Sequence, residues 1–223
     1  LVPTPLMRAM ETGKIVRFEE LTRMASDVQD TLITVLSEKM LPVPELNTAV
    51  HAKRGFNMIA TANNRDKGVN DLSSALKRRF NVVVLPLPSD LDEEVRIVTK
   101  RVGEIGVSLR LPKVSPADQE IARIVTIFRE LRDGQTLDGR LKLKSPSGSL
   151  STAEAIAVTI GAWAEAGHFG SGEIDAQAMA ANLVGAIVKD PVQDKVVLKE
   201  YLETVVRDRK PWADLYGAIR EVM

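Results

Sequence analysis

Two short apolar runs, residues 14–18 and 56–62, each stop abruptly in polar residues: Glu19-Glu20 after the first and Asn63-Asn64 after the second. A helix-length amphipathic segment separates them. Strand, helix and strand, with polar groups delivered at the carboxyl ends, is the plan of an open parallel α/β sheet, whose ligands sit beyond those ends. The stretch closes on Ala75-Leu76-Lys77-Arg78-Arg79-Phe80, a helix end carrying two arginines. Everything else in the chain is placed relative to this stretch.

Taken in order, residues 1–13 contain Pro3, Pro5 and an amphipathic segment at residues 6–10, a loop with a short helix leading to the first strand. Residues 14–18 read as a buried strand. Ser26 reads as an N-cap with Asp27 in the first turn, opening a helix that buries Val28, Leu32, Val35 and Leu36. Prolines 42 and 44 break it, and the residues up to Arg54 form a small hairpin or an irregular insert. After the second strand, residues 63–68 carry turn chemistry. Leu72, Ala75, Leu76 and Phe80 share one helix face. Residues 81–85 contain three consecutive valines and read as a third strand, covered on both faces as parallel strands are.

Pro86 and Pro88 end that region, and the pattern then changes to helices alone. Ser89 reads as the cap of a helix with Asp90, Asp92, Glu93 and Glu94 at its start. A second helix opens at Ser115-Pro116, with proline at the first helical position, and buries Ile121, Ile124, Val125, Phe128 and Leu131. A glycine-containing loop at residues 134–148 includes a short extended piece at residues 141–143. Ser151 and Glu154 fit a capping box, and the helix they open runs to Gly167 and buries Ile156, Ile160 and Trp163. Further helices are expected at residues 175–188, 191–207 and 212–222. The expected organisation is therefore residues 1–89 as the second half of an open α/β core and residues 90–223 as an all-α part. The chain starts at Leu1, in what reads as the middle of a domain.

Composition removes several classes of function. Lys+Arg and Asp+Glu are 30 each, so no uniform basic footprint for nucleic acid exists and none is expected as a partner. With no cysteine, disulfides, thiolate chemistry and cysteine-based zinc sites are excluded. The two histidines, His51 and His168, lie far apart, against a histidine-built metal or catalytic centre. No apolar run is long enough to span a bilayer, and with no leader before the first strand the cytoplasm is the expected compartment.

The polar residues at the strand and helix ends each admit two readings. Glu19 and Glu20 are a solvated acidic turn, or one carboxylate holds a hydrated Mg²⁺ while the other polarises a water. Asn63 closes an Asx turn, or its neutral amide orients water beside phosphate. Arg78 and Arg79 complement a helix dipole, or one of them reaches a γ-phosphate as an arginine finger.

Their order and spacing resemble the MoxR branch of the AAA+ ATPases. Phe18-Glu19-Glu20-Leu21-Thr22-Arg23 resembles that family's Walker B segment, Ile59-Ala60-Thr61-Ala62-Asn63-Asn64 its sensor 1 strand, and residues 72–80 the helix before its Arg-Phe pair. Residues 85–98 are similar to the strand exit and acidic first helix of its lid, and the insert at residues 41–54 matches the hairpin this branch carries before sensor 1. The resemblance covers residues 14–165. It implies a partial parallel-sheet P-loop NTPase core followed by an α-helical lid. It also implies ATP and Mg²⁺ as cofactors and hydrolysis coupled to chaperone-like remodelling of partner proteins. The assembly implied is a homo-oligomeric ring, usually a hexamer, beside a von Willebrand factor A domain partner. Glu19 would stand on the metal side through water, Glu20 would activate water, Asn63 would orient it, and Arg79, with Arg78 as second choice, would act on the next subunit's ATP.

The pattern departs from the family in three places. No phosphate-cradling loop is present. Gly134-Gln135-Thr136-Leu137-Asp138-Gly139-Arg140-Leu141 has the glycine spacing but ends in Arg-Leu and follows a helix, so it is rejected. The family usually has aspartate at Glu19. It places an arginine after a Ser-Pro in the lid, where this chain has Ser145-Pro146-Ser147-Gly148; Ser147 offers a hydroxyl to nucleotide but no charge, with Arg140, Lys142 and Lys144 nearby. The competing reading is a non-catalytic helical assembly module carrying a degenerate α/β remnant.

Overall fold

The computed structural model describes residues 2–63, 72–114, 117–170 and 172–223. The chain divides into two compact units, Leu1–Leu85 and Pro86–Met223.

In the first unit, Thr4 caps helix α1 (Pro5–Thr12), its hydroxyl accepting the Met7 N–H, and Pro5 pre-sets the first turn. Gly13 ends the helix in the left-handed region at φ 67°. A side chain there would meet the Arg54 carbonyl oxygen at 2.3 Å, so glycine is required twice over. Carbonyls at the end of α1 take the Lys14 N–H at 2.9 Å and the Lys53 N–H at 2.8 Å, which brings the entries of β1 (Ile15–Phe18) and β4 (Asn57–Ala60) side by side. The two pair in parallel, from Ile15 opposite Asn57 to Phe18 opposite Ala60. Between them run α2 (Ser26–Glu38) and an antiparallel hairpin, β2 (Met40–Val43) and β3 (Thr48–His51), which settles the 41–54 insert as a hairpin. Helix α3 (Ser74–Lys77) follows, capped by Ser73.

Met10, Leu21, Leu32, Val35, Met58 and Leu76 form this unit's core, and full burial of each such side chain is worth roughly 1.5–3 kcal/mol. Both parallel strands bury one face only. Val16 and Met58 point inward, whereas Ile15 is 62% and Ile59 53% exposed, so β1 is half-buried and not the fully buried strand expected. The cap of helix α2 lies one residue earlier than expected: Ala25 occupies the cap and Ser26 the first turn. Val28 lies outside the core, with Leu32 and Val35 inside and Leu36 at its edge.

The largest departure is at residues 81–85. They form no strand among the described residues, and Val82, Val83, Val84 and Leu85 are 66–86% exposed. Within the described residues the parallel sheet consists of β1 and β4 alone, and neither pairs with this run.

The second unit is helical: α4 (Leu91–Ser108), α5 (Asp118–Asp133), α6 (Thr152–His168), α7 (Ala176–Ile187), α8 (Gln193–Tyr201) and α9 (Ala213–Val222). A π-helical turn (Leu202–Val206) extends α8. The cap of α4 is Asp90, whose carboxylate accepts the Glu93 N–H, and not Ser89. The Ser115-Pro116 helix start lies outside the described residues, and α5 opens at Asp118. The Ser151–Glu154 capping box is present on α6. The core face of α6 is Ala155, Val158, Ala162 and Ala166; Ile156, Ile160 and Trp163 sit at its margin, where the Trp163 indole donates to the Pro112 carbonyl at 2.7 Å. Glycines allow the close approaches: Gly106 of α4 leaves room for the Trp163 ring, and Gly161 of α6 for the Asn182 side chain of α7. None of the described helices is long and apolar enough to cross a membrane.

Buried carboxylates join the helices. Glu94 of α4 takes both forks of Arg132 of α5, at 3.1 and 2.9 Å, and the Thr152 hydroxyl. Glu130 accepts from the Tyr201 hydroxyl, Arg209 and the Leu137 N–H. Asp194, 1% exposed, accepts the Ser147 N–H and hydroxyl and the N–H groups of Lys189 and Asp190.

Two outcomes follow from these contacts. Gly13→Ala lowers stability by at least about 2 kcal/mol, from the left-handed backbone and the clash together, read as a fall in urea midpoint. For Asp194, burial raises the carboxyl, but the N–H groups of Asp190 and Ser147, the Ser147 hydroxyl and the Lys189 N–H outweigh it and hold it below its ordinary value. A group depressed in the fold stabilises it in charged form, so this contribution is present above about pH 4 and lost as pH falls through the folded value. Asp194→Asn therefore costs on the order of 3 kcal/mol at neutral pH, because an amide sets donors against donors. It also flattens the acid limb of the stability curve, measured by melts between about pH 3 and 7.

Candidate functional site

The parallel register decides which polar groups meet. Phe18 pairs with Ala60, so the next residues on the two strands, Glu19 and Thr61, are also opposite. The ladder continues past both strands. Thr61 N–H donates to the Phe18 carbonyl at 2.9 Å, and the Thr61 carbonyl accepts the Leu21 N–H at 2.8 Å. Leu21 is fully buried and begins a 3₁₀ turn (Leu21–Arg23), which fixes the chain leaving β1.

The two carboxylates take different partners. Glu19 accepts the Thr61 hydroxyl on Oε2, and its Oε1 pairs with Arg17 at 2.7 Å. Glu20 pairs through Oε2 with Arg23 Nε at 2.7 Å. Its backbone is left-handed, φ 55° and ψ 49°, a conformation that is uncommon and costly for a non-glycine residue. The Glu20 N–H donates to Thr61 Oγ1 at 3.1 Å. Both carboxylate side chains remain more than half exposed, at 53% and 57%. Ion pairs that open to water are worth about 0–1 kcal/mol, so these carboxylates can exchange an arginine for another cation or a water.

Asn63 lies exposed two residues beyond Thr61, at the same end of the sheet; residues 64–68 of the expected turn lie outside the described residues. Arg78 and Arg79 follow α3. Arg79 Nε donates to the Ser37 hydroxyl at the end of α2 and Nη1 to the Ala75 carbonyl at 2.6 Å, which ties part of its guanidinium head to its own unit. These use two of the five guanidinium donors. Arg78 is exposed.

In the helical unit, Ser147 gives its hydroxyl hydrogen and its N–H to Asp194, each at 2.7 Å, so only its oxygen lone pairs remain for a ligand. Arg140 pairs with Asp138 at 3.3 Å and Lys144 with Glu200 at 2.7 Å. The rejected glycine loop is a turn in which the Asp138 carboxylate takes the Thr136 hydroxyl and the Arg140 N–H. These hydrogen bonds hold that carboxyl below its ordinary value, and an ionised carboxylate there repels phosphate. A cavity of about 540 Å³ opens among α1, β1 and α2, but its walls are mostly apolar and neither Glu19, Glu20 nor Asn63 lines it.

Arg17, Arg23 and above all Thr61 were not singled out from sequence. A hydroxyl residue two positions before the expected sensor asparagine was the available signal, and only the strand register turns it into a contact.

As to metal, the described residues contain no cluster of three or more His, Asp or Glu side chains able to cage an ion. Two exposed carboxylates at a strand end do fit Mg²⁺, which keeps several waters and is held by one or two carboxylates plus substrate phosphates.

Comparison with known proteins accounts for both units. Residues 1–80 match the AAA domain of the dynein-related subfamily, and residues 92–222 match the YehL-like AAA+ ATPase C-terminal domain. YehL of Escherichia coli K12 is 37% identical over 228 residues, covering 98% of this chain; the chain spans 61% of that relative's length. A distant likeness is found to NtrX from Brucella abortus in complex with ADP, at 13% identity and a TM-score of 0.47, over 93% of this chain and 44% of that one. With its helical unit matched almost end to end, and an AAA domain matched directly before it, the chain belongs to the YehL-like AAA+ ATPases.

Proposed function

We propose that this chain supplies the water-activating side of an ATP-hydrolysing site in a protein that remodels or assembles partner proteins. The observation that carries this is the parallel β1–β4 pair, which sets Glu19, Glu20 and the Thr61-to-Asn63 segment at adjacent carboxyl ends. When bound, ATP brings a transferable phosphoryl group and Mg²⁺ the positive charge that offsets its oxygens.

The residues divide the work. Glu19, braced by Arg17 and Thr61, would stand on the metal side and hold Mg²⁺ through water. Glu20 accepts the proton of the attacking water once Arg23 yields its carboxylate. Asn63 orients that water without adding charge. Arg79 reaches the γ-phosphate held by a neighbouring subunit, with Arg78 as the second candidate, which requires a ring, of hexamer type, with each site shared. The Ser147 oxygen keeps lone pairs but contributes no positive charge to nucleotide. A von Willebrand factor A domain protein completes this reading by family resemblance, and its expected setting is the cytoplasm. The phosphate grip belongs to residues other than these.

In the full-length protein, Glu20→Gln keeps ATP binding within about threefold and lowers turnover by roughly 10²-fold or more, because the water loses its base; hydrolysis at the wild-type rate rejects the assignment. Arg79→Ala lowers turnover to a similar degree. Mixing Arg79→Ala with Glu20→Gln subunits restores part of the activity if the finger acts across subunits, and the absence of any rescue in steady-state phosphate release rejects a shared site.

A further inference from the structure

We propose that Thr61 is a positioning residue that sets both carboxylates for hydrolysis; this rests on the reading of Glu19 and Glu20 given above. One side chain and its backbone hold every part of the acidic turn. Its hydroxyl hydrogen goes to Glu19 Oε2, which leaves Oε1 to Arg17 and fixes the carboxylate plane. The same oxygen accepts the Glu20 N–H at 3.1 Å. Its backbone N–H and carbonyl bind the residues on either side, Phe18 and Leu21, at 2.9 and 2.8 Å.

The conformation of Glu20 explains why such a brace is needed. At φ 55° a glutamate sits in a region that L side chains avoid, and a residue stays there only where its surroundings over-determine it. The Glu20 carboxylate is exposed and its one described ion pair is with an exposed arginine, so side-chain packing does not hold it. The N–H bond to Thr61 and the Leu21 anchor hold the backbone, and through it the direction in which the Glu20 side chain leaves. Without the hydroxyl, Glu19 keeps only Arg17, and Glu20 can relax out of the left-handed region. Threonine suits the task because its hydroxyl donates once and accepts at the same time, and its branched Cβ restricts the rotamer. Valine has the shape without the hydroxyl, and serine the hydroxyl without the methyl group.

The test uses the full-length protein with Thr61→Val, Thr61→Ser and Glu20→Gln. Thr61→Val is expected to lower kcat at saturating ATP by roughly tenfold or more with KM changed less than about threefold, and Thr61→Ser to restore kcat to within about twofold. A second readout is the affinity for a fluorescent ATP analogue, titrated with Mg²⁺ and with EDTA. The gain in affinity from Mg²⁺ shrinks in Thr61→Val and returns in Thr61→Ser, since Glu19 has lost and regained its partner. Wild-type kcat and Mg²⁺ gain in Thr61→Val overturn the proposal. So does a Thr61→Ser protein as impaired as Thr61→Val, which would assign the role to methyl packing. Should Thr61→Val melt below the assay temperature, the serine variant decides alone: retained turnover supports the hydroxyl role and its loss overturns it. Glu20→Gln separates the two claims. If it hydrolyses at the wild-type rate, the ATPase reading falls; if it is inactive while Thr61→Val is wild-type, only the role of Thr61 falls.

Discussion

The parallel pairing of β1 with β4 is the constraint on which the first unit's chemistry depends. Antiparallel strands would send Glu19-Glu20 and Asn63 to opposite ends of the sheet; parallel strands bring them to the same end. That pairing is set at the other end of the strands. The close approach of Gly13 to Arg54, at a distance no side chain permits, and the α1 carbonyls that take Lys14 and Lys53 align the two strand entries. The register then runs forward to Phe18 and Ala60 and, one residue later, places Thr61 against the acidic pair.

The two units use charge in different ways. The acidic pair of the first unit makes exposed ion pairs with Arg17 and Arg23, worth little and easily exchanged. The second unit buries its carboxylates and gives each several donors: Glu94 holds α4 to α5 and α6, Glu130 holds α5 to Tyr201 and Arg209, and Asp194 holds the turn at Ser147 to the start of α8. Removing one partner of such a buried set costs roughly 3–5 kcal/mol, far above an exposed pair. Soft, exchangeable charge suits the role proposed for these carboxylates. Fully bonded buried charge suits a unit that must keep one arrangement of helices.

Much of the architecture is written locally. The stripe Ile121, Ile124, Val125, Phe128 and Leu131 is a helical face that any neighbour can cover, and it is buried as read. The Ser151–Glu154 capping box is chemistry within one turn. Helix α2 ends at Glu38 with Lys39 in the left-handed region, and the segment that carries Pro42 and Pro44 forms a hairpin within the expected insert. Caps moved by one residue where two candidates adjoin, as Ser89 and Asp90 do, because the winner is the side chain that reaches the Glu93 N–H. On α6 the expected stripe of Ile156, Ile160 and Trp163 lies at the core's margin and Ala155, Val158, Ala162 and Ala166 fill the buried face, a choice made by the neighbouring helices and not by the helical period. Residues 81–85 carry a strand composition but no ladder among the described residues: β propensity alone does not choose a partner.

By itself the sequence determined the order of elements, the strand ends that carry Glu19, Glu20 and Asn63, the helix end that carries Arg78 and Arg79, and the change to an all-helical second part. Each of these follows from hydrophobic period and local cap or turn chemistry, which act within a few residues. Only the tertiary structure decided that Thr61 lies across from Glu19, that Glu20 is held in a left-handed turn, that Arg79 lies against Ser37, and that Ser147 serves Asp194. These contacts join residues 41, 42 and 47 positions apart. Their partners are chosen by strand register and helix packing, and no local pattern encodes them.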